Sequence, residues 1–246
     1  MKQYRLIVAY DGTDYCGWQV QVLQKSIAQE MQDAFERVFG QSIRLLGASR
    51  TDAGVHALGQ VAVFKINIQV NTQKMLFAWN NVLPQSIRII SIEEVTDNFH
   101  PYRNKTEKTY WYNFFTDQPL PFATRYGWYV RKKIDMQKLR QCLKVFQGTH
   151  DFASFCTKNE KENTVRTINS INLEYVKEFN CYRIEVKGPG FLRHMIRRIV
   201  GASLIVATRL DLTVQYMQEL LNEQNPNNAM LTAPACGLFL KSVEYL

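Results

Sequence analysis

Short apolar runs alternate along the chain with segments whose apolar residues recur at helical spacing. Tyr4–Tyr10 is β-branched and aromatic and stops at the turn dipeptide Asp11-Gly12, so it reads as a strand. Ile27, Met31, Ala34, Phe35 and Val38 share one face of a helix that Ser26 opens and Gly40 stops, with Gln29 placed to complete a capping box. Ile43–Leu46 and Gln60–Lys65 follow as strands, Thr72–Val82 as a helix closed by Pro84, and Ile87–Val95 as a further strand. This β-α-β-β-α-β order is that of a ferredoxin-like unit.

A loop over Asp97–Thr106 then leads into a second series. Lys108–Phe115 is a strand with Tyr110, Tyr112 and Phe114 on one face, and Thr124–Val130 is a candidate partner for it. Asp135 caps a helix with Met136, Leu139, Leu143 and Phe146 inward and Gly148 at its end. Thr164–Lys177 and Cys181–Lys187 are strand-like and joined by a turn near Phe179-Asn180. In the second of these, Tyr182, Ile184 and Val186 face one way and Arg183, Glu185 and Lys187 the other, as in an antiparallel sheet with one wet face. Gly188-Pro189-Gly190 breaks the strand, and Phe191–Leu210 is predicted as a long helix burying Leu192, Met195, Ile196, Ile199, Val200 and Leu204. A helix over Leu212–Asn222 and a last strand over Leu238–Tyr245 complete the pattern. The expected class is α+β, with two halves of similar element order, 1–100 and 101–246, dividing between Glu94 and Thr106.

Composition narrows the class of partner. Of 246 residues, 46% are hydrophobic and 21% charged, which suits a globular chain with a sizeable core. Thirty Lys and Arg against 22 Asp and Glu give a net charge of +8, which favours a polyanion, since cations that neutralise phosphates release counterions. The five cysteines, Cys16, Cys142, Cys156, Cys181 and Cys236, are widely spaced and form no C-x-x-C pair, so neither a disulfide framework nor a zinc site is expected. No signal peptide precedes Tyr4–Tyr10 and no apolar run is long enough to span a bilayer; a reduced, soluble, cytoplasmic protein is expected. No H-E-x-x-H, P-loop or G-x-G-x-x-G pattern supports zinc, ATP or dinucleotide chemistry, and no metal or cofactor is expected.

The densest chemistry lies in Gly47-Ala48-Ser49-Arg50-Thr51-Asp52-Ala53-Gly54-Val55-His56, a polar segment between two strand-like runs. Asp52 can act there as nucleophile, base or electrostatic stabiliser. The same residues also fit a turn in which Asp52 bonds local amides and Arg50 is solvated. The predicted helix from Phe191 carries Arg193, His194, Arg197 and Arg198 near its start, with Arg193 and Arg197 on one face and His194 and Arg198 on another. A cation embedded in so apolar a helix needs a partner, and Asp52 would suit it through a bidentate bond. Tyr110 could stack on a base, as aromatics of sheet-based RNA binders do, or could simply pack in its sheet. Trp18 and Tyr15, beside Gln19 and Gln21, offer the same choice between stacking on a base and capping the sheet. His150-Asp151 reads as a turn rather than a dyad.

Several stretches in order resemble the TruA family of tRNA pseudouridine synthases. Arg50 to Ala57 followed by Gly59-Gln60-Val61 is similar to its R-T-D-A-G-V-H-A…G-Q-V run. Tyr10-Asp11-Gly12-Thr13 with Gly17-Trp18-Gln19 and Gln21, Asn80 with Leu83-Pro84, and Phe99-His100 with Lys108 and Tyr110 resemble further family motifs. So do Gly148-Thr149-His150-Asp151-Phe152 with Ser154-Phe155, Phe191-Leu192 with Met195, Arg197 and Gly201, and Pro234-Ala235 with Gly237-Leu238-Phe239-Leu240. The resemblance implies a homodimeric enzyme of two ferredoxin-like halves, joined through a continuous, mainly antiparallel sheet with helices on one face. It implies conversion of uridine to pseudouridine at positions 38, 39 and 40 of the tRNA anticodon arm, without cofactor or metal. It further implies Asp52 as nucleophile, Arg197 as its ion-pair partner, Tyr110 stacked on the target uracil and Arg50 holding the flipped nucleotide. The chain departs from the family pattern at Ser49, Tyr102-Arg103, Ala207-Thr208-Arg209 and Asn227-Asn228, which bears on target position and RNA affinity. Two other readings stand beside this one: an RNA-binding module without catalysis, and a hydrolase using Asp52 and His56.

Overall fold

A computed structural model describes residues 1–67, 71–103, 105–157, 163–225, 227 and 231–246. Asn104, in the predicted loop, and Asn228, in the Asn227-Asn228 departure, lie outside the described residues. The first elements in chain order are β1 (Lys2–Tyr10), α1 (Ile27–Phe39), β2 (Leu46–Gly47), β3 (His56–Ile66), α2 (Thr72–Asn80) and β4 (Ile87–Val95). Then come β5 (Lys105–Phe115), β6 (Trp128–Tyr129), α3 (Met136–Lys144), β7 (Gly148–Asp151), β8 (Val165–Ile168) and β9 (Ser170–Val176). The last are β10 (Cys181–Gly188), α4 (Met195–Thr208), α5 (Val214–Glu223) and β11 (Leu238–Tyr245). The class is mixed α+β, and the strand pairs are mostly antiparallel. The backbone forms two compact units, one of Met1–Thr106 with Phe239–Leu246, the other of Glu107–Leu238. The last strand, expected with the C-terminal half, thus clusters with the first unit.

In the first unit β1 pairs antiparallel with both β3 and β4, β2 pairs antiparallel with β3, and β11 runs parallel to β3. Alternation along β1 buries Tyr4, Leu6, Val8 and Tyr10. The apolar stripe of α1 meets this core: Phe35 sits edge-on to Phe64 and to Trp79 of α2, and the Trp79 indole donates to the Met31 carbonyl at 3.0 Å. The Ser26 hydroxyl accepts the Gln29 N–H, but the Gln29 amide turns to Asp33, so half of the predicted capping box forms.

Two strand boundaries move. The strand predicted over Ile43–Leu46 reduces to Leu46–Gly47, because the Leu45 N–H is taken by Gln32 of α1 at 2.9 Å. The strand predicted from Gln60 begins at His56, where Phe239 and Leu240 of β11 pair with His56 and Ala57. The helix predicted to Val82 ends at Asn80. There the Asn80 amide bonds both backbone groups of Ile89 at 2.9 Å and ties α2 to β4.

In the second unit β10 pairs antiparallel with β5 and β9, placing Tyr110 opposite Val186 and Tyr112 opposite Ile184. The other face is polar, as the alternation predicts: the Arg183 guanidinium lies 3.8 Å from the centre of the Trp111 ring, and the Trp111 indole donates to Glu185 at 2.9 Å. The run predicted as one strand over Thr164–Lys177 divides at Asn169, whose N–H donates to Lys187. β8 pairs with β7 and β9 with β10. His150-Asp151, read as a turn, therefore lies in strand β7. Of Thr124–Val130, Trp128 and Tyr129 pair, in parallel, with β5, while Pro121–Tyr126 winds into a 3-10 turn. The long helix starts at Met195 rather than Phe191, since His194 adopts a left-handed φ of 62° and ends the helical register. No helix among the described residues is long and apolar enough to cross a membrane.

Candidate active site

The segment Gly47–His56 is a loop between two paired strands, and its backbone is held at nearly every step. The Ala48 N–H donates to the Val61 carbonyl at 2.7 Å. Gln60, with 0% exposure, bonds both backbone groups of Ser49: its carbonyl accepts the Ser49 N–H at 3.2 Å and its amide donates to the Ser49 carbonyl at 2.7 Å. A side-chain amide thus continues the ladder where the β2 backbone leaves it. Gln60→Leu keeps the volume but strips two buried backbone groups of partners, which costs about 1–3 kcal/mol for each such group. A chemical-denaturation curve for this variant is therefore expected to show a loss of about 2–6 kcal/mol; a loss within error would mean that Ser49 is anchored by other groups.

The N-terminal loop braces the segment from the other side. The Tyr10 hydroxyl bonds the Thr51 hydroxyl at 2.8 Å, and the Trp18 N–H donates to the Thr51 carbonyl at 3.2 Å. The Gly54 N–H donates to the Tyr15 carbonyl, and the Val55 N–H closes a turn on the Asp52 carbonyl, each at 3.2 Å. Gly17 lies so close that a Cβ on it would sit 2.3 Å from the Thr51 carbonyl oxygen. Trp18 is 2% exposed and Tyr15 is buried too, so both cap the sheet instead of offering a stacking face. The outcome is a half-buried Asp52 and an exposed Arg50 on a backbone with little freedom. A reactive carboxylate needs such fixation, because attack requires a near-contact geometry held in advance.

His56 is withdrawn from this chemistry. Its ring is buried and stacks on Phe239 with centroids 4.6 Å apart. Its Nδ1 lies 3.2 Å from the Gly12 N–H and 3.1 Å from an Asp11 carboxylate oxygen. One nitrogen accepts the first or donates to the second, and either role fastens β3 to the β1 turn. The imidazole that the hydrolase reading requires is thus engaged in holding the loop.

Within the second unit, Tyr110 is 7% exposed and its ring meets Phe191 edge-on at 5.4 Å. Arg197 is half-buried on the first full turn of α4. Its Nε donates to the Ala233 carbonyl at 2.8 Å, and the Ala233 N–H donates back to the Arg197 carbonyl at 3.0 Å. This reciprocal pair fixes the guanidinium. The 231–233 backbone can approach because Gly201 lacks a side chain: a Cβ there would lie 2.1 Å from the Leu231 carbonyl oxygen. Next to it, the Tyr112 hydroxyl donates to the Pro234 carbonyl. Burial pushes the Tyr112 phenol well above the ordinary tyrosine range, against a smaller opposing pull from the Arg197 cation.

The other cations of the predicted basic cluster separate. Arg193 lies before the helix and is exposed, so it shares no helical face with Arg197. Arg198 donates to the Cys156 carbonyl at 2.6 Å and to the Thr157 hydroxyl at 3.3 Å, and that hydroxyl also meets His194 at 2.9 Å. These two residues tie the start of α4 to Cys156 and Thr157. Gln60 and Tyr10 stand in the motifs of the resemblance with no role attached to them. The signal for Gln60 is a lone amide inside an apolar strand; Ala233, which those motifs do not include, acts through its backbone and carries none.

A carboxylate on a braced loop between strands, in an α+β chain with basic excess, fits an enzyme that acts on a polyanion. Comparison with known proteins gives the class. A sequence model of the family described as tRNA pseudouridine synthase matches residues 6–102 and 143–246. The tRNA pseudouridine synthase A of Thermodesulfovibrio yellowstonii is 33% identical over 255 residues, covering 100% of both chains. tRNA pseudouridine synthase A 1 of Protochlamydia amoebophila is 36% identical over 100% of this chain and 97% of its own, and that of Desulfotalea psychrophila is 38% identical over 100% of both. Among solved structures, an archaeal box H/ACA sRNP Nop10–Cbf5 complex aligns over 87% of this chain and 53% of its own at 12% identity with a TM-score of 0.34, too low to inform the fold. The chain belongs to the tRNA pseudouridine synthase family, isomerases that convert uridine to pseudouridine.

Proposed function

We propose that this protein isomerises uridine at positions 38, 39 and/or 40 of the tRNA anticodon arm, with Asp52 as nucleophile on a flipped-out base. The N1–C1′ bond breaks, the uracil turns over, and C5 bonds C1′. C5 gives up its proton and N1 gains one, so atoms and electrons balance and no oxidant, energy source or metal is consumed. Flipping is required because the reacting atoms are covered inside a stack. Asp52 acts on the sugar–base linkage, Arg197 pairs with it and orients it, Tyr110 stacks on the uracil, and Arg50 helps hold the flipped nucleotide out of the stem. The observation that carries this reading is the braced Arg50-Thr51-Asp52 backbone in a chain that matches its relatives end to end. The fixed guanidinium of Arg197 supports its part in this reading, and the edge-on packing of Phe191 sets the plane of the Tyr110 ring.

The proposal includes a ferredoxin-like first half, supported by the antiparallel neighbours β4, β1, β3 and β2, and a second ferredoxin-like half. It also includes a homodimer, residence in the cytoplasm and an RNA grip supplied by the +8 charge. The test uses tRNA from a strain lacking this gene, mapped for pseudouridine before and after addition of purified protein. New pseudouridine at one or more of positions 38–40 is expected. Binding of the same tRNA without any new pseudouridine would select the catalytically silent RNA-binding module instead.

A further inference from the structure

The loop between β1 and α1 turns its aromatic residues inward and its aliphatic ones outward. Tyr15 and Trp18 are buried, whereas Val22 is 88% and Leu23 100% exposed, with Val20 exposed beside them. Leu23 also holds a left-handed φ of 59°. A large apolar side chain in water and a non-glycine residue in that region each cost stability, so folding alone does not explain this tip. Nor is it loose. The Cys16 N–H donates to the Lys25 carbonyl at 2.8 Å, the Gln21 amide donates to the Cys16 carbonyl at 3.0 Å, and Gln21 pairs with Gln24 across the turn.

The base of the same loop holds the catalytic segment through the Trp18–Thr51 bond and the close packing of Gly17 on Thr51. Six residues of extended chain reach at most about 20 Å, so the tip stands within a few base-pair steps of anything engaged by Asp52. Between Asp14 and Glu30 the sequence has no acidic residue, and Lys25 adds a cation 4.9 Å from the centre of the Tyr15 ring. That cation favours a phosphate backbone nearby.

We infer that Val22 and Leu23 form an apolar wedge that packs against bases beside the target uridine and supports the stack that the flipped nucleotide leaves. Apolar side chains carried on a fixed backbone serve this purpose in other nucleic-acid binders by unstacking a base step. The inference rests on the proposed uridine isomerisation. It makes Val22 and Leu23 positioning residues, with an effect that depends on whether the target is paired.

The test compares wild type, Leu23→Gly and the double variant V22S/L23S on two anticodon-arm transcripts. One has the target uridine paired; the other has it unpaired by a single change in the opposite strand. Leu23→Gly suits the left-handed backbone and is expected to keep or raise the melting temperature. Both variants are expected to lose about tenfold in kcat/KM on the paired transcript, and to approach wild type on the unpaired one. Wild-type rates on both transcripts overturn the wedge. So does an equal loss on both, a loss that follows the melting temperature, or a change confined to self-association, which assigns the tip to a second copy of the chain. If wild type makes no pseudouridine on either transcript, the enzymatic reading fails first and the wedge with it.

Discussion

Asp52→Asn is expected to bind tRNA with near wild-type affinity and to make no measurable pseudouridine, a loss of at least about 10³-fold in rate. Asparagine keeps the size and shape of the side chain. The braces described above run from Gln60 to Ser49, from Tyr10 and Trp18 to Thr51, and from Tyr15 to Gly54, and the substitution leaves each of these groups in place. The fold and the RNA surface are therefore expected to survive, while the proposed nucleophile is removed. Pseudouridine release assays, a tRNA filter-binding curve and a melting curve check the three parts. Turnover above one per cent of wild type in the Asn variant would remove Asp52 from the nucleophile's role.

Gly17→Ala is expected to damage both stability and activity, although residue 17 has no side chain to contribute to either. Its backbone holds φ of 93°, and the added methyl would overlap the Thr51 carbonyl oxygen at 2.3 Å. Backbone cannot swing aside as a flexible side chain can, so the loop must shift or unfold locally. The expected cost is about 2–3 kcal/mol, with a fall in kcat larger than the unfolded fraction explains. Gly40→Ala is the control. Gly40 also has positive φ, 65°, but nothing lies within 4 Å of the position its Cβ would take. That variant should lose about 1 kcal/mol and keep full turnover of the folded fraction. Equal effects from the two substitutions would mean that contact with Thr51 is not what matters at Gly17.

Where a residue's role follows from its immediate neighbours, the sequence was readable. The strand Ile87–Val95, the caps at Ser26 and Asp135, and the alternation in β10 need only period and local bonding, and all stand in the structure. Boundaries failed where a distant residue decided them. Gln32 takes Leu45 out of β2, and β11 draws the start of β3 back to His56, both across spans that no local pattern records. The start of α4 failed for another reason: Phe191 to His194 continue the helical apolar period, yet His194 leaves the helical region of φ. For the candidate site, Arg50, Asp52, Tyr110 and Arg197 could be named from their motifs. The parts played by the residues that hold them could not, because Gln60 stands in its motif only as an amide whose partner lies across a loop, and the backbone carbonyl of Ala233 carries no chemical signature of its own.

The parallel pairing of Phe239 and Leu240 with His56 and Ala57 bears on the order of folding. It joins residues far apart in sequence, and such a contact carries a large loop-closure cost before it returns any stability. The edge of β3 beside the braced loop is therefore expected to close late, after β1 has paired with β3 and β4.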